Sequence, residues 1–186
     1  MKNKRIAFLY STREGQTLKI LNHIENKLNQ QGEISVDYFN LHDEEALLGL
    51  NLSHYEHLLV AASIRYGSLN PKLYHFIAEN HLELADKDAS FICVNLTARK
   101  EEQGKDTPEG SVYIKTFLNK SRWQPKGIAV FAGALRYPRY RWFDKFMIRL
   151  IMSMTGGETD TSKEVEYTNW NKVDAFADLL FKKIGK

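Results

Sequence analysis

Five short apolar runs with helical periodicities between them constrain this chain more than any other feature. Residues 5–10, 34–39, 57–63, 89–95 and 128–133 each read as a strand. The runs at 5–10 and 57–63 are almost continuously apolar, as expected for strands buried on both faces. Leu18, Leu21, Ile24 and Leu28 fall at helical spacing over 15–31, with Gly32 as a stop. Pro71 suits the first turn of a helix continued by Leu73, Phe76 and Ile77. Val112, Phe117 and Leu118 predict a helix over 108–120. Trp170, Val173, Phe176, Ala177, Leu180 and Ile184 predict a last one starting near 168–169. Strands alternating with helices in this way make a parallel sheet covered on both sides. The chain reads as α/β, a single domain over residues 1–186. Its 186 residues suffice to bury roughly 70% of the unfolded surface without staples.

Cysteine and charge narrow the setting. Cys93 is the sole cysteine, so no internal disulfide framework forms and a reducing compartment is expected. The apolar run at 6–10 is shorter than the about 7–15 residues of a signal peptide, and no segment nears the roughly 20 of a spanning helix. Neither secretion nor membrane spanning is expected. The net charge of +3 is uneven: residues 120–149 carry eight basic side chains and one acid, Asp144, leaving −4 for the rest. A basic segment on an acidic domain points to an anionic partner.

In such sheets ligands bind beyond the carboxyl ends of the strands. Directly after the first strand stand Ser11, Thr12, Arg13, Glu14, Gly15, Gln16 and Thr17, and a helix follows. The helix N-terminus offers unpaired N–H groups to an anion, Gly15 allows close approach, and the hydroxyls add donors. The loop reads either as a phosphate cradle or as a solvated turn in which Thr12 caps the helix. No lysine follows the glycine as in a Walker loop, and the three spaced glycines of a dinucleotide loop are missing.

Thr12, Gly15 and Thr17 resemble the flavodoxin phosphate loop, Thr-x-Thr-Gly-x-Thr, with Glu14 in place of the middle threonine. A carboxylate there must point away or pair with Arg13. The resemblance implies a flavodoxin-like three-layer sandwich, a five-stranded parallel sheet of order 2-1-3-4-5 with an insertion after the fifth strand, at about 136–161. Three more strings follow at strand ends: Ser63-Ile64-Arg65-Tyr66-Gly67, then Asn95-Leu96-Thr97-Ala98-Arg99, then Arg136-Tyr137-Pro138-Arg139-Tyr140-Arg141-Trp142, with Gly156-Gly157 later. Together they are similar to the quinone-dependent protoporphyrinogen oxidases, a flavodoxin-like family, from residue 5 to about 181. That resemblance implies an FMN enzyme of haem biosynthesis that passes electrons from protoporphyrinogen IX to menaquinone or ubiquinone. It implies FMN contacts from Ser11–Thr17, Ser63, Ile64, Arg65, Tyr66, Gly67, Asn95, Leu96, Thr97 and Arg99, with Tyr66 stacking. It also implies Arg136, Tyr137 and Arg139 toward the substrate, the arginines holding its propionates.

Trp142, Phe143, Phe146, Met147, Leu150, Ile151 and Met154 form a helical apolar stripe beside basic residues. From pattern alone this is an amphipathic helix closing over the sheet; with the resemblance it is a peripheral contact at the cytoplasmic face of the inner (plasma) membrane. No metal site and no nucleic-acid partner are expected, and homo-oligomerisation is left open. Cys93 reads as core. Two other readings share the fold: a flavodoxin-type electron carrier, which the positive net charge opposes, and an NAD(P)H:quinone reductase, for which no nicotinamide site is recognisable.

Overall fold

Alternation along each strand assigns its side chains to one or the other face of the sheet. The computed structural model describes residues 4–185. In β1 (Lys4–Ser11), Ile6 and Phe8 enter one core while Ala7 and Leu9 enter the other. β3 (His57–Ser63) and β4 (Asp88–Asn95) divide likewise, Leu59 and Ile92 to one side, Val60 and Phe91 to the other. β2 (Ile34–Asn40) and β5 (Gly127–Ala132) form the edges of a parallel sheet of order β2-β1-β3-β4-β5. The expected sheet and its order are observed.

α1 (Gln16–Gln31) and α7 (Trp170–Ile184) cover one face. α2 (Glu44–Leu48), α3 (Pro71–Glu79), α4 (His81–Asp86) and α5 (Val112–Ser121) lie over the other. Two details differ from the sequence reading. In α1 the buried stripe runs through Ile20, Leu21, Ile24 and Leu28, with Leu18 only partly buried. α5 starts at Val112, capped by the Ser111 side chain, rather than near Pro108; Val112 is exposed, and Ile114 and Phe117 point inward. Phe117 stacks on Phe91 at 4.0 Å, and Trp123 meets both rings edge-on.

After β5 the chain leaves the sheet. β6 (Ala134–Arg136) pairs antiparallel with β7 (Glu164–Glu166), and α6 (Trp142–Met154) lies between them in sequence. Leu135, Tyr137, Tyr140, Ile148 and Met152 form a small separate core. α6 therefore does not close over the sheet through its apolar stripe. It packs through Ile148 and Met152, and Trp142, Phe143, Phe146, Leu150 and Met154 face outward, Trp142 being 80% exposed, with Ile151 at the margin between the two faces. The local core has room for two α6 side chains, so the wider stripe is left to solvent.

Phe117→Ala should lower stability by about 3–5 kcal/mol, read as a lower urea midpoint at unchanged slope. Val112→Ala, at an exposed position, should stay within about 0.5 kcal/mol.

Candidate functional site

β1 ends at Ser11 and α1 begins at Gln16, with Gly15 between them at φ +82°. That left-handed conformation is inexpensive for glycine alone. No side chain caps α1. Thr12 Oγ1 instead accepts the Gly15 N–H at 3.2 Å, so the first turn of the helix keeps its donors and Thr12 is not its cap. Thr17 Oγ1 is buried without a hydrogen-bond partner among the described residues. Such an orphan costs about 1–3 kcal/mol unless something meets it, which fits a loop shaped for an anion. Ser11 Oγ lies 2.9 Å from His42 Nε2, and Arg13 is exposed. The Gln16 side chain is engaged elsewhere, donating to Thr168 at 2.9 Å and accepting from Arg136 at 2.9 Å.

The loop after β3 is a two-residue turn: Arg65 and Ser68 exchange backbone hydrogen bonds at 2.9 and 3.0 Å around Tyr66 (φ +48°) and Gly67 (φ +77°). For tyrosine this conformation costs about 1–2 kcal/mol, and it leaves the ring half-exposed. Asp144, on the first turn of α6, accepts from the Tyr66 hydroxyl and from Arg65 Nη2 (2.7 Å). The other arm of Arg65 pairs with Glu14. Glu14 thus pairs with Arg65, not with Arg13. The Arg65 guanidinium also lies 5.0 Å from the Tyr66 ring centre and 5.3 Å from that of Tyr140. The Tyr66 hydroxyl, with Arg65 behind it, holds the Asp144 carboxyl below the usual carboxylate range. Burial pushes the Tyr140 phenol up to about 12.

In the loop after β4, the buried Asn95 accepts from the Thr97 hydroxyl (2.7 Å) and the Ala98 N–H (2.9 Å). Leu96 packs on the small third core. Arg99 donates to the Leu96 carbonyl at 2.7 Å and to the Thr155 carbonyl and hydroxyl at 3.1 and 2.9 Å, tying this loop to the end of α6.

All three loops meet at one slot of about 140 Å³, where Glu14, Gln16, residues 63–67, 95–97 and Arg99 come together. α6 closes it with Ile148, Ile151 and Met152. Ser11, Thr12 and Arg13 line an adjoining cavity of about 580 Å³, which shares Ser63, Arg65 and Tyr66 with the slot. Tyr113, Tyr140, Ile148 and Met152 also line the slot, unforeseen from sequence. Tyr140 belonged to the alternating basic and aromatic run, whereas Tyr113 carried no signal.

The substrate candidates are placed differently. Arg136 is bound to Gln16, with Glu164 4.0 Å away. Arg139 is bidentate on Glu164 at 2.6 and 3.1 Å. Tyr137 is fully buried and donates to the Glu158 carbonyl at 2.8 Å. It is the largest fully buried side chain of the core beneath α6 rather than a surface open to substrate. Cys93 is buried in β4 with its thiol pushed up to about 12 by burial, too high for a nucleophile at neutral pH.

A flavodoxin-domain family model matches residues 7–162. The chain is 46% identical over 173 residues to the protoporphyrinogen IX dehydrogenase (quinone) of Escherichia coli K12, covering 93% of this chain and 92% of that protein. It is 40% identical over 176 residues to the protein of the same name from Leishmania major, covering 95% and 74%. The apo form of an NADH:FMN oxidoreductase shares the fold at a TM-score of 0.52 and 13% identity, covering 97% of this chain and 90% of that one. The slot at the strand ends therefore sits in a member of the flavodoxin-domain family, and within it the chain belongs with the quinone-dependent protoporphyrinogen IX dehydrogenases.

Proposed function

We propose that this chain oxidises protoporphyrinogen IX to protoporphyrin IX, with FMN as cofactor and menaquinone or ubiquinone as electron acceptor, in haem biosynthesis. What carries this assignment is the 46% identity maintained over nearly the full length of both chains. The strand-end loops fit the cofactor: the uncapped first turn of α1 and the orphaned Thr17 hydroxyl suit a phosphate, and the slot beside Tyr66 suits a flat ring. When bound, FMN supplies the two-electron chemistry of each oxidation step. The chain's own residues bind and orient. Glu14, neutralised by Arg65, adds no bare negative charge beside the phosphate. Tyr66, held to Asp144, offers an aromatic surface at the slot.

Peripheral contact with the cytoplasmic face of the inner (plasma) membrane is part of the same proposal. No helix among the described residues is long and apolar enough to cross a membrane. The exposed apolar side of α6, with Lys145 and Arg149 on the same helix, supports interfacial docking to anionic lipid instead.

Porphyrin fluorescence should rise anaerobically only when FMN-loaded protein, porphyrinogen and a quinone are all present. No porphyrin above the uncatalysed rate, with flavin still bound, would assign the chain to an electron carrier or an NAD(P)H-linked reductase.

Thr17→Ala should weaken FMN binding by about 10–100-fold, the worth of one hydrogen bond to a charged group, and Thr17→Ser should retain it in a flavin-fluorescence titration. Equal affinity in all three proteins excludes the phosphate role.

Trp142→Ser with Phe146→Ser should cut partitioning onto anionic vesicles by at least about tenfold. Sedimentation that the double change leaves unaltered sinks the membrane contact.

A further inference from the structure

Beside the slot lies a recess of about 330 Å³ whose walls include Arg13, Arg65, Arg139 and Arg141 together with Glu14 and Asp144. It neighbours the slot, Glu14, Arg65 and Tyr140 lining both. A molecule lying against the slot has this recess as its neighbour.

Pairing within the protein sorts these arginines. Arg65 is satisfied by Glu14 and Asp144. Arg139 is satisfied by Glu164, which approaches both its Nε and its Nη2. Arg13, from the phosphate loop, and Arg141, immediately before α6, are exposed and form no ion pair among the described residues. Arg65 shares its single charge between both carboxylates of the recess and Arg139 is met by Glu164, so Arg13 and Arg141 are left without a close partner and the group keeps a net positive charge. Arg136 lines a different recess, with Lys19 and Glu166. A guanidinium that is free and at the mouth of a cavity suits a carboxylate, which it can grip with two parallel N–H donors.

We propose that Arg13 and Arg141 hold the propionate carboxylates of the porphyrinogen, in the recess formed where the phosphate loop meets the start of α6. This rests on the function proposed above and moves the carboxylate subsite away from Arg136 and Arg139, whose charges are met within the chain.

The experiment compares protoporphyrinogen IX with its dimethyl ester, which lacks the carboxylate charges. Wild type, Arg13→Gln, Arg141→Gln, the double variant, Arg136→Gln and Arg139→Gln are assayed. Equilibrium binding of protoporphyrin IX and of its dimethyl ester, followed by the porphyrin absorption band, provides a readout independent of turnover. Each single change should raise KM for the acid, and weaken binding of the acid porphyrin, by about tenfold; the double change should do so by about a hundredfold. The ester and the quinone KM should not change, and Arg141→Gln, outside the phosphate loop, should leave FMN affinity unchanged. Equal losses for acid and ester, no loss at all, or acid-selective losses only in Arg136→Gln or Arg139→Gln would overturn the subsite. Weakened FMN binding in Arg13→Gln would reassign that residue to the phosphate. A wild-type protein that oxidises neither compound while binding FMN overturns the proposed function. Turnover of both with the same acid-to-ester ratio in every variant overturns the subsite alone.

Discussion

One guanidinium joins three stretches of chain that are remote in sequence. Arg65 stands in the loop after β3, grips Glu14 in the phosphate loop and Asp144 on α6, and lies over the rings of Tyr66 and Tyr140. Burial acts to lower its pKa, yet Glu14, Tyr66 and Asp144 together hold it above the ordinary arginine value. Its side chain is only 18% exposed. Its removal takes from Glu14 and Asp144 their one close ion-pair partner among the described residues, and breaking a buried pair in this way typically costs about 3–5 kcal/mol; partial exposure lowers that figure here. The same contact would make a glutamate tolerable in a loop that holds a phosphate, as proposed for this one. Position 14 can carry a charge because position 65 cancels it.

The position of α6 follows from similar polar struts. Two buried side chains, Ile148 and Met152, are a small apolar anchor for a thirteen-residue helix. Asp144 fixes its first turn to Arg65 and Tyr66, and Arg99 fixes its end through Thr155. Both struts arise from the loops that line the slot. The helix that closes the slot is thus held by the loops it covers, and its orientation is coupled to theirs.

The five strands were legible in the sequence because burial on both faces writes itself as continuous apolar runs, as in 57–63. The loops were legible because topology places the ends of β1, β3 and β4 together, so Glu14, Tyr66 and Asn95 meet once the sheet order is known. Side-chain partners were not legible. Arg13 lies next to Glu14 in the chain, yet Arg65, fifty-one residues away, takes the carboxylate. Periodicity also failed for α6, because an apolar stripe shows that a helix has two faces and not which one turns inward. Tyr137, expected toward the substrate, is core, its ring filling the small third cluster.

The two faces of α6 bear on how electrons leave the site. Its inner residues, Ile148 and Met152, line the slot, and its outer residues, Trp142, Phe146 and Met154, are bare. A helix about 10–12 Å across separates these faces. Docking of the outer face, as proposed, would bring the slot within a helix diameter of the lipid, where a lipid-soluble quinone is concentrated. Arg13 and Arg141 lie at the end of α6 nearest the phosphate loop, in a recess that reaches solvent. The carboxylates of a porphyrinogen would then stay in water while its apolar edge approaches the slot. Separating a wet, cationic entrance from an apolar helix face suits a reaction whose substrate carries charged arms and whose acceptor is a lipid.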